Sequence, residues 1–310
     1  MSPDRRQIAA LLAAAGLSPS ALASPAFAQT PPANEPPSQI GTERDRTSRI
    51  TAPIYINGQG PFRFLVDTGA NRSCISEVLA DKLGLPEGPR VSLHTVAGQR
   101  MRSSVQISEL KVGSRVQKNA RVAVLPIVGE EIDGALGVDW LKGQRLVLDF
   151  KGHQMEITAS RLDVTADGKV VVPARRKSGQ LTIIDADLSG RQISAMIDSG
   201  AEISMGNAAL RRVIGAQPRN MQVQQIELAS LAGEKLVGEL LYLSFLRLGG
   251  LQLGNVPVVF VEAHVFKLWG LQNVPTLILG MDLLNEFDKV HLDFGRSTVR
   301  FDLSDSARIL

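Results

Sequence analysis

Two short stretches of this chain carry the same acidic side chain in the same setting. Phe62-Arg-Phe-Leu-Val-Asp67-Thr-Gly-Ala70 and Ile193-Ser-Ala-Met-Ile-Asp198-Ser-Gly-Ala201 each run a largely apolar strand into an aspartate, a hydroxyl residue, a glycine and an alanine. A single Asp-Thr-Gly or Asp-Ser-Gly is a serviceable turn at a strand end and identifies nothing by itself. Two of them, each with its carboxylate at the apolar end of a strand, point to one site built from Asp67 and Asp198. Like charges held very close cannot both ionise, so such a pair shares a proton over a wide pH range. The ionised member takes a proton from bound water as the water attacks a carbonyl. The protonated member steadies the new oxygen, and a proton then passes to the leaving amine. That is peptide hydrolysis without a metal, serine or cysteine nucleophile. Since the two groups titrate as a unit, the sequence assigns the proton to neither.

The neighbours fit this chemistry. Thr68 and Ser199 offer hydroxyls for hydrogen bonds across an interface between the two loops. Gly69 and Gly200 let backbone come close to a shared centre, and Ala70 and Ala201 leave room beside a substrate backbone. Ser73 and Ser204 are placed to stiffen the aspartate loops.

Positioning two such loops requires two similar elements, and the chain contains them as an internal repeat. An offset of 131 holds without a gap from Phe62 over Ile193 to Gly84 over Gly215. Each copy then enters a short helix, with N-cap candidates Ser76 and Asn207, and each helix ends at a glycine, Gly84 or Gly215. β-rich segments follow, such as Val105–Val112 and Leu236–Leu248. A second signature closes each copy: Gly134-Ala-Leu-Gly137-Val-Asp139 and then Leu146-Val-Leu-Asp149-Phe150, against Leu277-Ile-Leu-Gly280-Met-Asp282 and then Val290-His-Leu-Asp293-Phe294. The step from aspartate to this glycine is 70 residues in the first copy and 82 in the second, and the surplus is assigned to the loop His264–Pro275. The expected lobes are 50–160 and 161–310.

Taken together, the paired Asp-Thr-Gly-Ala and Asp-Ser-Gly-Ala motifs, with Leu136-Gly137 and Leu279-Gly280 closing each copy, resemble the retropepsin-like aspartic proteases. The likeness spans about 50–310. It implies a mostly β fold of two tandem acid-protease lobes, each a closed barrel with short helices. It also implies a dyad of Asp67 and Asp198, interlocked through Thr68 and Ser199, acting on polypeptide. Two complete lobes in one chain imply a monomer. A flap over the substrate is expected around Gly98, in Val96-Ala-Gly98-Gln, and around Gly233, in Leu231-Ala-Gly233-Glu. The sequence departs from the family at Asn71 and Glu202, where viral members carry a second aspartate. It also lacks a flap tyrosine, since its two tyrosines are Tyr55 and Tyr242. The competing reading is a peptide-binding module that keeps the fold without hydrolysis, although a binder needs neither carboxylate.

Other reactive residue types read as structural. Asp139 and Asp282 follow a glycine at helix starts, where capping and the helix dipole account for them. Asp149 and Asp293 sit in matched strands. The four histidines, His94, His153, His264 and His291, have no metal-ligand spacing, so neither a metal nor any cofactor is expected. Cys74, the one cysteine, has no disulfide partner within the chain and reads as a small buried hydrophobe. Phe266 and Trp269 either line a substrate pocket or pack their loop onto the lobe.

The bulk properties agree. With 44% hydrophobic and 21% charged residues and a net charge of +3, the chain suits a globular protein with a large core. Its interspersed charges mark no nucleic-acid surface. At the N-terminus, Arg5 and Arg6 precede an apolar run from Ile8 to Leu17 and then Ala26-Phe27-Ala28. This order reads as a secretory signal peptide cleaved after Ala28, by the Sec or the twin-arginine route, and as delivery to the periplasm or beyond. No later run is long enough to span a bilayer. Residues 29–49, with Pro31-Pro32, Pro36-Pro37 and many polar residues, read as a disordered leader.

Overall fold

The repeat in the sequence is a repeat in space. The computed structural model describes residues 37–94, 98–127, 131–141, 143–162, 169–177, 180–215 and 223–303. The first half contains β1 (Ser38–Gly41), β2 (Glu43–Arg44), β3 (Ile50–Ile56), β4 (Gln59–Val66), β5 (Cys74–Ser76), α1 (Glu77–Lys82), β6 (Glu87–His94), β7 (Gln99–Val112), β8 (Arg115–Leu125), β9 (Gly134–Leu136), β10 (Gln144–Asp149) and β11 (Gln154–Ala159). A 3-10 turn, Val138–Leu141, follows β9. The second half contains β12 (Lys169–Lys177), β13 (Gln180–Leu188), β14 (Arg191–Ile197), β15 (Met205–Gly206), α2 (Ala208–Val213), β16 (Gln224–Ala229), β17 (Lys235–Leu248), β18 (Leu251–Phe260), α3 (His264–Leu268), β19 (Thr276–Leu279), α4 (Met281–Leu284), β20 (Phe287–Asp293) and β21 (Thr298–Leu303).

Each half closes on itself. In the first, the order β3-β4-β9-β5-β8-β7 returns to β3 through the pairing of Ile54 with Val112. In the second, β13-β14-β19-β15-β18-β17 returns to β13 through Ala186 and Leu248. Closure gives every strand of the ring a neighbour on both sides. The inward residues are those the strand alternation predicts: Ile54, Ile56, Leu110 and Val112 in one barrel, Ile183, Leu246, Leu248 and Val258 in the other, each nearly inaccessible to solvent. The fold is therefore mostly β, with two barrel lobes and few short helices. Helices α1 and α2 start where Ser76 and Asn207 accept the amides of Leu79 and Leu210, and they stop at Gly84 and Gly215, both at positive φ. The surplus of the second copy holds α3.

A further sheet joins the lobes. Its order, β1-β11-β10-β20-β21-β12, places β10 against β20 with Arg145 opposite Asp293 and Leu146 opposite Leu292. All six residues of β10 are buried, as the centre of a covered sheet requires. This sheet corrects the reading of 29–49 as a disordered leader. Residues 38–49 belong to the first lobe: β1 pairs with β11, and Ser38 and Ile40 are buried. β1 is the counterpart of β12 at the same offset of 131, from Ser38 to Lys169. The stretches 1–28 and 29–36, read as signal peptide and leader, lie outside the described residues. Among the described residues no helix is long and apolar enough to cross a membrane.

Candidate active site

Both aspartates sit at the end of a strand whose neighbour fixes their backbone. β4 runs parallel to β9, and the Asp67 amide continues the ladder by donating to Leu136 O at 3.0 Å. β14 runs parallel to β19, and the Asp198 amide donates to Leu279 O at 3.0 Å. Beyond each aspartate the chain turns back under its own carboxyl. Gly69 N and Ala70 N donate to Asp67 Oδ1 at 3.0 and 2.8 Å, and Gly200 N and Ala201 N donate to Asp198 Oδ1 at 2.9 and 3.2 Å.

The two loops interlock. Thr68 Oγ1 donates to Ile197 O at 3.0 Å and accepts from Ser199 N at 3.0 Å. In return, Ser199 Oγ donates to Val66 O at 2.6 Å and accepts from Thr68 N at 3.2 Å. Both hydroxyl residues are buried, so these bonds work in a low dielectric. The approach has a steric requirement. A Cβ on Gly69 would stand 2.3 Å from Asp198 Cγ, and one on Gly200 would stand 2.4 Å from Asp67 Cγ. Only glycine lets each loop lie against the opposite carboxyl.

The result is a pair of carboxyls brought together, each lying against the glycine of the opposite loop. Burial pushes Asp198 up to about 7, and the Asp67 charge beside it adds to the rise. Burial also pushes Asp67 up, against the pull of the Ala70 and Gly69 amides and of the Arg49 guanidinium. The pair therefore holds one proton well above the ordinary carboxylate range.

Ser73 and Ser204 bind the loops to the closing motifs. Ser73 Oγ donates to Asp139 Oδ1 at 2.7 Å and accepts from Gly137 N at 3.0 Å. Ser204 Oγ donates to Asp282 Oδ1 at 2.6 Å and accepts from Gly280 N at 3.0 Å. This revises the expectation for Asp139 and Asp282. Each stands in the first turn of its helix, but its carboxylate principally accepts the amide and hydroxyl of the serine in the aspartate loop. Burial raises both above the usual range.

The carboxyl pair opens into a cleft of about 390 Å³ between the lobes. Its first-lobe wall includes Arg49, Arg72, Cys74 and Leu125, and its second-lobe wall includes Glu202, Ile203, Met205, Val265 and Trp269. Trp269 thus reaches the cleft, while Phe266 is buried in the apolar cluster beneath it. Cys74 is buried, and burial pushes its thiol up to about 12, as befits a packing residue. Gly233 lies in the turn between β16 and β17, and Leu228, Ser230, Leu231 and Ala232 of that hairpin line the cleft. Leu231 and Ala232 pack on first-lobe residues including Leu93, and Arg100 Nε of β7 donates to Glu234 Oε1 at 3.0 Å. Gly98 ends the connection between β6 and β7; Val96 and Ala97 lie outside the described residues. Among the described residues, no group of three or more His, Cys, Asp or Glu is placed to hold a metal ion.

Two site residues were missed by the sequence reading. Arg49 lines the cleft, and its Nε donates to Asp45 Oδ2 at 2.7 Å. Gln180 Nε2 donates to Gly69 O at 3.0 Å, so a second-lobe side chain supports the first aspartate loop. The two occupy equivalent positions of the repeat. Carrying the offset upstream, Arg49-Ile-Thr51 over Gln180-Leu-Thr182, would have found them.

Two barrels that meet at paired Asp-Thr/Ser-Gly loops on the floor of a cleft define a bilobal acid-protease architecture. A family model of aspartyl proteases matches residues 52–140 and again 184–283, more than half of the chain, and the chain belongs to that retropepsin-like family. No curated protein matches the chain.

Proposed function

We propose that the protein is an aspartic endopeptidase that cuts extended polypeptide, with Asp67 and Asp198 as its dyad. The observation that carries this reading is the meeting of the two buried carboxyls, each against the opposite loop's glycine, on the floor of a cleft made by both lobes. With one proton between them, one carboxylate oxygen accepts a proton from a water positioned between the pair and the scissile carbonyl. The water oxygen bonds to the carbonyl carbon while the protonated carboxyl gives its proton to the carbonyl oxygen, forming a gem-diol. Collapse of the gem-diol moves a proton to the amide nitrogen, breaks the C–N bond and returns one proton to the pair. The amides of Gly69, Ala70, Gly200 and Ala201 keep one oxygen of each carboxyl fixed, so little reorganisation accompanies the reaction. The β16–β17 hairpin around Gly233 and the turn at Gly98 in the first lobe serve as the flap. One chain supplies both halves of the site and works as a monomer. Residues 1–28 direct it to the periplasm, where the mature chain begins at Gln29.

The test is cleavage of a denatured protein by the purified mature chain, compared with Asp67→Asn and Asp198→Asn. Wild type cuts, and either substitution lowers the rate by about three orders of magnitude or more. Wild-type protein that binds peptides but is inert from acid to neutral pH would instead make this fold a binding module.

A further inference from the structure

The repeat is kept on the floor of the cleft and broken on its walls. The offset that pairs Asp67 with Asp198, Ala70 with Ala201 and Ser73 with Ser204 pairs Arg72 with Ile203. Both residues line the cleft. The reciprocal bonds of Thr68 and Ser199 relate the loops by an approximate two-fold, so Arg72 and Ile203 flank the carboxyl pair from opposite sides.

Arg72 is exposed, and among the described residues its guanidinium makes no hydrogen bond or ion pair. It acts only through space on Asp139, whose carboxylate is already taken by Ser73. Charge is divided in the same sense across the cleft. Its other cation, Arg49, belongs to the first lobe, whereas the acidic residues of the walls, Glu202 and Glu227, belong to the second. Glu227 is bound to Lys235 at 2.7 Å. The second-lobe lining also includes the apolar Met205, Leu236, Val265 and Trp269. A guanidinium beside such a cleft offers a planar fork of donors to an arriving carboxylate.

We infer that Arg72 is a specificity-determining residue: it binds an Asp or Glu side chain on one side of the scissile bond, while the Ile203 wall takes an apolar side chain on the other. The inference rests on the peptidase reading and gives a nearly symmetric site a direction. Lysine or arginine at the same substrate position meets the like charge of Arg72 and is rejected.

The experiment uses peptide pairs that differ only as Glu against Gln at each position around the cut. Wild type cleaves the Glu member with kcat/KM about tenfold higher at one position, the worth of one charge-assisted contact. In Arg72→Ala the ratio falls to about one, Arg72→Lys keeps a reduced preference, and Arg72→Glu turns the preference toward Lys. The same pairs are titrated against Asp198→Asn protein for Kd, a readout that needs no turnover. If wild type cuts nothing, the peptidase reading fails, and the Glu/Gln ratio in Kd still decides the role of Arg72. A ratio near one in wild type, in cleavage or in Kd, overturns the inference, as does a ratio that survives in Arg72→Ala.

Discussion

At the scale of single residues the site is a balance between burial and hydrogen bonding. Asp198 stays protonated to about pH 7 because burial and the neighbouring Asp67 charge outweigh the amides of Gly200 and Ala201. Its ordinary unfolded value is near 3.8. Between those values the folded protein binds a proton that the unfolded chain has lost, so this group makes stability fall as pH rises. Below the unfolded value both states are protonated and the penalty is absent. Asp198→Asn removes the titration while keeping an oxygen for the two amides and an N–H for Asp67. The variant is expected to be more stable than wild type by ~2 kcal/mol at pH 7, a gain that vanishes near pH 4. Thermal unfolding across that range measures it. A stability gap independent of pH would show that Asp198 is ionised in the native protein. Activity follows the same titration: the dyad works with one proton, so cleavage declines as pH rises through about 7.

At the scale of elements, the sequence was legible wherever it repeated and opaque wherever only one copy carried a signal. Strands, helix caps and helix-ending glycines around Asp67 and Asp198 recur with constant spacing, and the barrels were expected from them. β1 did not declare itself, because four residues inside a polar, Pro-rich stretch present only Ser38 and Ile40 to the core. The strand exists because β11 offers an unpaired edge and the lobe needs Ile40 to fill its floor. Asp139 and Asp282 were misread for another reason. A carboxylate in a first turn satisfies the capping rule, and a partner 66 or 78 residues away cannot be seen from local pattern. Arg49 and Gln180 differ in type, so their equivalence shows in position alone. The status of β1 has a direct check. Ile40 is 4% exposed, and Ile40→Ala is expected to cost about 3 kcal/mol in denaturant unfolding. A true leader residue would show no change, so a loss under about half a kilocalorie per mole refutes the assignment of β1 to the fold.

At the scale of the molecule, the dyad exists only while the lobes hold their register, and that register is set far from the cleft. Arg145 on β10 and Asp293 on β20 face each other across the lobe boundary, and both side chains are withdrawn from water. Arg145 Nη2 lies 3.3 Å from Asp293 Oδ2. The same carboxylate accepts Ser160 Oγ at 2.6 Å and the amides of Gly295 and Arg296 at 3.0 and 2.8 Å. It thus ties the end of the first lobe to the turn that follows β20. A buried ion pair adds little over an apolar pair of the same shape, but removing one charge strands the other in a low dielectric. Asp293→Asn keeps the Oδ1 acceptor for Ser160 and the amides of Gly295 and Arg296. It also removes the charge opposite Arg145 and turns Oδ2, which accepts Arg145 and the Arg161 amide, into a donor. It is expected to destabilise the protein by roughly 3–5 kcal/mol. The form of the loss is informative beyond its size. If the joining sheet makes the lobes one cooperative unit, calorimetry shows a single transition moved to lower temperature, and activity disappears with it. If each barrel is stable alone, the variant shows two transitions. Activity then fails at the first of them, because separated lobes keep their aspartates but no longer bring them together.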